Sequence, residues 1–218
     1  MNYLAHARDI LDAPWELVGT AVPDWLGHTR PKARPVIATG TPLSTTGAAI
    51  ASGIARHLDE DAWFHANPTF RDLERRAARE LNARPAEGRR RASFTAHIAI
   101  ELLLDGALIA EDPQRVDRYY DALDRLTVES IADEIAATLP PSTTLPTQLR
   151  EIVNRFLDAR FLDGYTRDEE LAFRIEQVHR RVGLVTGDLL SILPDLRRAV
   201  YEAAPRLLPP ADLRERAS

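Results

Sequence analysis

Phe94-Thr95-Ala96-His97-Ile98-Ala99-Ile100-Glu101-Leu102-Leu103-Leu104-Asp105-Gly106-Ala107-Leu108-Ile109-Ala110 is the most hydrophobic stretch of the chain. Wound as a helix, it spreads Phe94, Ile98, Ile100, Leu102, Leu103, Leu104, Leu108 and Ile109 around the axis. A helix apolar on nearly every side is a central one, buried by its neighbours. Three ionisable residues interrupt it: His97, Glu101 and Asp105, at i, i+4 and i+8, which a helix places on one face. Burying such groups is costly unless they are paired or coordinate a metal. The plainer readings are a satisfied core histidine for His97 and an exposed stripe for the two acids. That stripe fits the apolar surroundings of Glu101 poorly and fits Asp105, near the helix end, better.

Upstream, Gly53-Ile54-Ala55-Arg56-His57-Leu58-Asp59-Glu60-Asp61-Ala62-Trp63-Phe64-His65-Ala66-Asn67-Pro68 carries the same kind of stripe. His57, Asp61 and His65 again fall at i, i+4 and i+8, drifting only about 40° per step around a helix. Alone, they read most simply as the polar face of a surface helix. Two helices that each carry three His and carboxylate residues on one face make a more specific signal, although one without the fixed spacing of a motif such as HExxH. Five of the six His (6, 28, 57, 65 and 97) lie in the first half of the chain. Asp24, between Pro23 and Trp25, offers a further carboxylate or a plain turn cap.

Around these two segments the helical period recurs. Helices are expected over 2–12, ended by Pro14, and over 15–22. A Pro-, Thr- and Gly-rich loop from His28 to Gly47, a candidate lid, precedes the helix over 48–66. Asn67-Pro68 stops that helix, and Thr69 with Asp72 reads as a capping box for a helix over 70–82. Further helices are expected from Asp112-Pro113 to Leu126, over 130–139, over 147–162, over 168–192 beyond an Asp163-Gly164 turn, and over 195–203 after Pro194. No segment shows sustained strand alternation. The expectation is an all-α protein of about eight helices in a single domain over 1–218, with 208–218 a loose tail.

Composition narrows the function. The 218 residues are 44% hydrophobic and 28% charged, with a formal net charge of -5, so nucleic acid is not an expected partner. There is no Cys, hence no disulfide, thiolate ligand or Cys nucleophile. No basic region followed by an apolar run opens the chain, and nowhere do eighteen apolar residues run together. A cytoplasmic protein without a membrane partner is expected. The segment from Thr69 to Ser93 holds eight Arg against four acids, a local +4; around Arg75, Arg76 and Arg79 it reads as a solvated helix face or as a holder of anions.

Mixed imidazole and carboxylate ligands suit Mn²⁺, with Mg²⁺, Fe or Zn²⁺ as alternatives, and one or two such ions suit phosphoester hydrolysis. No GxSxG, P-loop or GxGxxG competes with this reading. The chain also resembles a known family. Met1-Asn2-Tyr3-Leu4-Ala5-His6, Glu16-Leu17-Val18-Gly19-Thr20-Ala21-Val22-Pro23-Asp24, and Gly53-Ile54 followed by His57, Asp61 and Pro68 resemble acyl carrier protein phosphodiesterases. These are divergent members of the HD-domain phosphohydrolase superfamily. Tyr165-Thr166-Arg167-Asp168 and Pro194 extend the likeness.

The resemblance implies an all-helical, metal-dependent phosphodiesterase acting on the bond between 4′-phosphopantetheine and an acidic carrier protein. His6, Asp24, His57 and Asp61 match family positions in type. His65 stands where the family has Asp. His97, Glu101 and Leu102 stand where it has Asp, then Asp-His, so Leu102 replaces a His. The expected ligands are therefore Asp24, His57, Asp61, His65, His97 and Glu101, with His6 and Asp105 as outer members, and Asp24, His57 and Asp61 as the catalytic core. A non-catalytic helical metal-binding protein and a helical diiron oxygenase are the alternatives.

Overall fold

A computed structural model describes residues 1–37, 42–85, 88–210 and 213. Among these the chain is all-α: α1 (Tyr3–Ala7), α2 (Pro14–Leu26), α3 (Thr45–Ala66), α4 (Pro68–Asn82), α5 (Ala92–Glu111), α6 (Arg115–Asp124), α7 (Val128–Thr138), α8 (Leu145–Ala159), a 3₁₀ helix (Phe161–Thr166), α9 (Asp168–Arg181) and α10 (Leu193–Leu207). Most of the expected 208–218 tail, and residues 38–41 of the expected lid, lie outside the described residues.

The contacts cluster into two units, each drawn from separate parts of the chain. One comprises Met1–Ala5, Ala62–Pro113 and Leu162–Pro209; the other is built mainly from His6–Asp61 and Gln114–Phe161.

In the first unit α5 is the central helix, as its sequence predicts. It packs against α4, α9 and α10, and the buried residues include Ala96, Ile100, Leu103 and Leu104 on α5 and Phe70, Leu81, Ile175 and Val200 on its neighbours. It is long and apolar enough to cross a membrane, but most of it is buried against these neighbours. Asp105 does not follow the exposed-stripe reading: its side chain is fully buried. Its Oδ1 accepts from the Ala5 amide at 2.8 Å, and its Oδ2 from the Leu4 amide and Asn2 Nδ2, both at 3.0 Å. The carboxylate therefore caps α1, taking up amides that a helix start leaves unpaired. Burial pushes its carboxyl up to about 7, against the pull of these donors.

In the other unit α2 packs on α6, α7 and α8, and α7 on α8. An aromatic cluster fills the core, with Phe156 edge-on to Trp25 at 5.5 Å and tilted on Tyr120 at 5.8 Å. The crossing of α2 and α3 is unusually close. A Cβ on Gly53 would lie 2.1 Å from the Glu16 carbonyl oxygen and 2.7 Å from Gly19 Cα. Only glycine at both positions admits this approach.

Several helix boundaries differ from expectation, mostly at proline. Pro14, Pro68, Pro146 and Pro194 open α2, α4, α8 and α10 at their first or second positions, and Asn67-Pro68 also ends α3 at Ala66 as expected. Proline lacks only an N–H that a helix start leaves unpaired anyway. Asn67, not Thr69, caps α4, its side chain accepting from the Thr69 amide at 2.9 Å. Pro23 is accommodated inside α2. The helix expected to run to Ile192 stops at Arg181. Gly183, at φ 67°, allows Leu184 N–H to reach the His179 carbonyl at 3.0 Å and Gly183 N–H to reach that of Arg180 at 3.3 Å. This is a Schellman terminus.

Candidate metal centre

The expected ligands sort into two triads. In each, three donor atoms lie within 4.8 Å of one another: His6, His57 and Asp61, and separately His65, His97 and Glu101.

The first triad draws on α1 and on α3, held against α2. His57 Nδ1 is 2.8 Å from the Thr20 carbonyl oxygen of α2, a contact that the glycine crossing one turn away makes possible. A carbonyl only accepts, so Nδ1 carries the hydrogen and Nε2 is turned towards Asp61 Oδ2, 3.4 Å away. His6, fully buried, stacks on the His57 ring at 4.1 Å between centroids. Its Nδ1 lies 2.9 Å from Glu60 Oε2 and its Nε2 3.3 Å from Asp61 Oδ1. That Nε2 is buried and makes no hydrogen bond.

Two imidazole edges thus converge on one carboxylate while their far nitrogens are tied to a carbonyl and a carboxylate. Tying the far nitrogen in this way is the support that metal-bound histidines receive. An ion about 2.0–2.1 Å from two ligands in a tetrahedron sets them about 3.3 Å apart. Here Asp61 Oδ1 lies 3.3 Å from His6 Nε2 and Oδ2 3.4 Å from His57 Nε2, one carboxylate oxygen facing each ring. The donor set and the unsatisfied His6 Nε2 therefore fit a divalent cation. Three protein ligands leave a coordination position open, and Asp61, 26% exposed, forms the accessible edge.

The electrostatics agree. Burial pushes the Asp61 carboxyl up, but the His57 and His6 rings facing it outweigh this and hold it well below the usual carboxylate range. Burial pulls His57 down, yet Asp61 beside it and the charge of Asp24 leave it raised. Asp24 thus lies near enough on α2 to act on His57, but belongs to neither triad.

The second triad lies where the end of α3 meets α5. Glu101 Oε1 is 3.2 Å from His97 Nε2 and 3.5 Å from His65 Nε2. His97 Nδ1 is 3.3 Å from Glu74 of α4, repeating the carboxylate–imidazole support. The rings are more open, His65 being 40% and His97 30% exposed. The Met1 amino group also contacts Glu101 Oε1 at 3.2 Å. Burial raises the Glu101 carboxyl, but that ammonium and the two imidazoles lower it further. His97 is raised by Glu101 and Glu74 against the effect of burial.

Sequence reading placed His6 and Asp105 together as outer members. The structure makes His6 a full member of one triad and Asp105 the cap of α1. Glu60, Glu74 and the Thr20 carbonyl complete the surroundings of these rings, and no spacing in the sequence singles them out. Glu60, beside Asp61 in the sequence, carried the only local signal of the three. Two of the four arginines of α4 pair along their own helix, Arg75 with Asp72 and Arg76 with Glu80, as a solvated face would.

No protein-family model matches the chain, and no curated protein or solved structure matches it.

Proposed function

We propose that this chain is a metal-dependent phosphohydrolase whose centre is His6, His57 and Asp61. The carrying observation is that two buried imidazoles, each tied through Nδ1, direct Nε2 at one carboxylate. These three residues would hold a divalent cation, Mn²⁺ being the first choice, and His65, His97 and Glu101 offer the same donor set for a second. Such a cation, when bound, acidifies a coordinated water and neutralises phosphoryl charge. The chain's part is to orient the ligands: Thr20 and Glu60 fix the two rings, and the burial of His6 and His57 keeps bulk water to the Asp61 edge. Asp24 adds negative charge beside His57.

The likeness of Met1–His6, Glu16–Asp24 and Gly53–Pro68 to acyl carrier protein phosphodiesterases supports a phosphodiester substrate, with an acidic carrier protein as the particular candidate. One observation favours a non-catalytic ion-binding protein instead: Leu102, where that family carries His, is an apolar buried residue.

The test is metal analysis of purified protein after chelation and Mn²⁺ reloading, with hydrolysis of bis-p-nitrophenyl phosphate. At least one ion per chain is expected, with turnover; His57→Ala and Asp61→Asn should each lose one ion per chain and the turnover. Failure to retain metal, or metal unchanged in both variants, sinks the proposal. Bound metal without hydrolysis selects the non-catalytic reading.

A further inference from the structure

Glu60 is a buried carboxylate that the proposed chemistry does not itself use. Its side chain is 2% exposed. Oε2 lies 2.9 Å from His6 Nδ1, while Oε1 forms ion pairs, not hydrogen bonds, with Arg8 Nη2 at 3.2 Å and Arg56 Nε at 3.5 Å. Arg8 and Arg56 are themselves 7% and 11% exposed, so a small ionic cluster stands behind the His6 ring. Arg56 is held on its other side by Asp9 at 3.4 Å and Glu16 at 3.9 Å.

The chemistry of these groups is one-sided. A carboxylate accepts hydrogen bonds and a guanidinium only donates them. Both ring nitrogens face a carboxylate, but only Nδ1 makes a hydrogen bond, to Glu60 at 2.9 Å, while Nε2 lies 3.3 Å from Asp61 Oδ1 without one. In a neutral ring the hydrogen therefore sits on Nδ1 and the lone pair on Nε2, the atom turned to Asp61. We propose that Glu60, clamped by Arg8 and Arg56, is the positioning residue that selects this tautomer of His6 and presents Nε2 as a cation ligand. The inference rests on the reading of His6, His57 and Asp61 as a cation site.

The arginines give the idea a sharp consequence. In Glu60→Gln the side chain keeps its shape but becomes an amide with one oxygen and one NH₂. Arg8 and Arg56 are cations that can only donate, so their charge draws the amide oxygen to their side. The NH₂ is then turned towards His6 Nδ1, which must accept. The ring hydrogen moves to Nε2, and the lone pair facing Asp61 is lost. Exchanging one oxygen for nitrogen thus inverts the ring without opening a cavity. Glu60→Asp keeps the acceptor and so the tautomer.

The experiment uses ¹⁵N-histidine-labelled full chain, metal-free at pH 8, with long-range ¹H–¹⁵N correlation of the His6 ring, assigned by its loss in His6→Gln. The expected result is Nδ1–H in the wild type and in Glu60→Asp, and Nε2–H in Glu60→Gln. Titration with Zn²⁺ should show affinity lowered roughly 10–100-fold in Glu60→Gln, the usual cost of losing such a partner, and less in Glu60→Asp. A wild-type ring carrying hydrogen on Nε2 overturns the inference. So does a Glu60→Gln protein with unchanged tautomer and affinity. If Glu60→Gln does not fold by circular dichroism, the wild-type and Glu60→Asp tautomers decide. If the tautomer inverts as expected but the wild type binds no cation, the control by Glu60 stands and the cation-site reading falls.

Discussion

Gly53→Ala is the sharpest perturbation the structure offers, because it tests the contact that brings His57 to Thr20. The added Cβ would meet the Glu16 carbonyl oxygen at 2.1 Å, Gly19 Cα at 2.7 Å and Thr20 N at 2.8 Å, against 3.4 Å for ordinary contact. All three are backbone atoms of α2, so no side chain can swing aside, and the helices must separate by about 1 Å. Alanine gains about 1 kcal/mol of helix propensity over glycine. Overpacking costs about 1–3 kcal/mol, at the upper end or beyond when backbone must move, and the His57–Thr20 bond adds about 1 kcal/mol when broken. The net loss is about 2 kcal/mol or more, or about 4–8 °C in Tm for a chain of this size. Thermal unfolding followed by circular dichroism measures the loss, and Mn²⁺ titration should show weakened binding because the ring has lost its anchor. Gly19→Ala should behave alike, and the double variant should cost less than the two together, since both relieve one contact. A Gly53→Ala protein melting within about 1 °C of wild type would refute the reasoning.

Asn67→Ala should lose about 1 kcal/mol, the usual cost of an N-cap, and somewhat more because Asn67 Nδ2 also donates to the Arg206 carbonyl at 2.7 Å; urea unfolding measures it. Phe156→Ala should cost about 3–5 kcal/mol by emptying the aromatic core between Trp25 and Tyr120, read by the same assay. His179 is buried, with Nδ1 2.9 Å from the Ile175 carbonyl and Nε2 2.8 Å from Thr95 Oγ1. Nδ1 must donate to that carbonyl, and Thr95 Oγ1 lies between Nε2 and the Arg91 carbonyl, 3.3 Å away; burial lowers the pKa of the ring and so favours its neutral form. A base with a lowered folded pKa contributes stability that is present above its unfolded value near 6.5 and lost as pH falls through the folded one. Unfolding free energy should therefore drop as pH is lowered below about 6.5, and His179→Gln should flatten that limb. An unchanged acid limb in the variant would remove His179 from the account.

The helices were legible because hydrophobic spacing is a local property. The all-round apolar character of Phe94–Ala110 announced a central helix, and α5 is one. The boundaries were less so, because proline is ambiguous from sequence: the same residue that stops one helix opens the next. Asn67-Pro68 does both, ending α3 at Ala66 and starting α4. The end of α9 was legible in principle, in Val182-Gly183-Leu184, but a glycine shows its left-handed turn only once the chain folds back on it.

The ligand stripes were likewise visible in sequence, since steps of four residues place side chains on one face of any helix. Which stripe residues meet was decided by tertiary packing. His57 and Asp61 are joined by His6, while His65 joins His97 and Glu101. Asp105 shares the spacing of His97 and Glu101 yet is taken by the amides of Leu4 and Ala5. Glu60 looks like any helix-face acid until His6, Arg8 and Arg56 close around it. Periodicity dictates which residues share a face. Only packing sets which acceptor finds which donor, because hydrogen bonds and coordination depend on distances of about 3 Å that no spacing along the chain encodes.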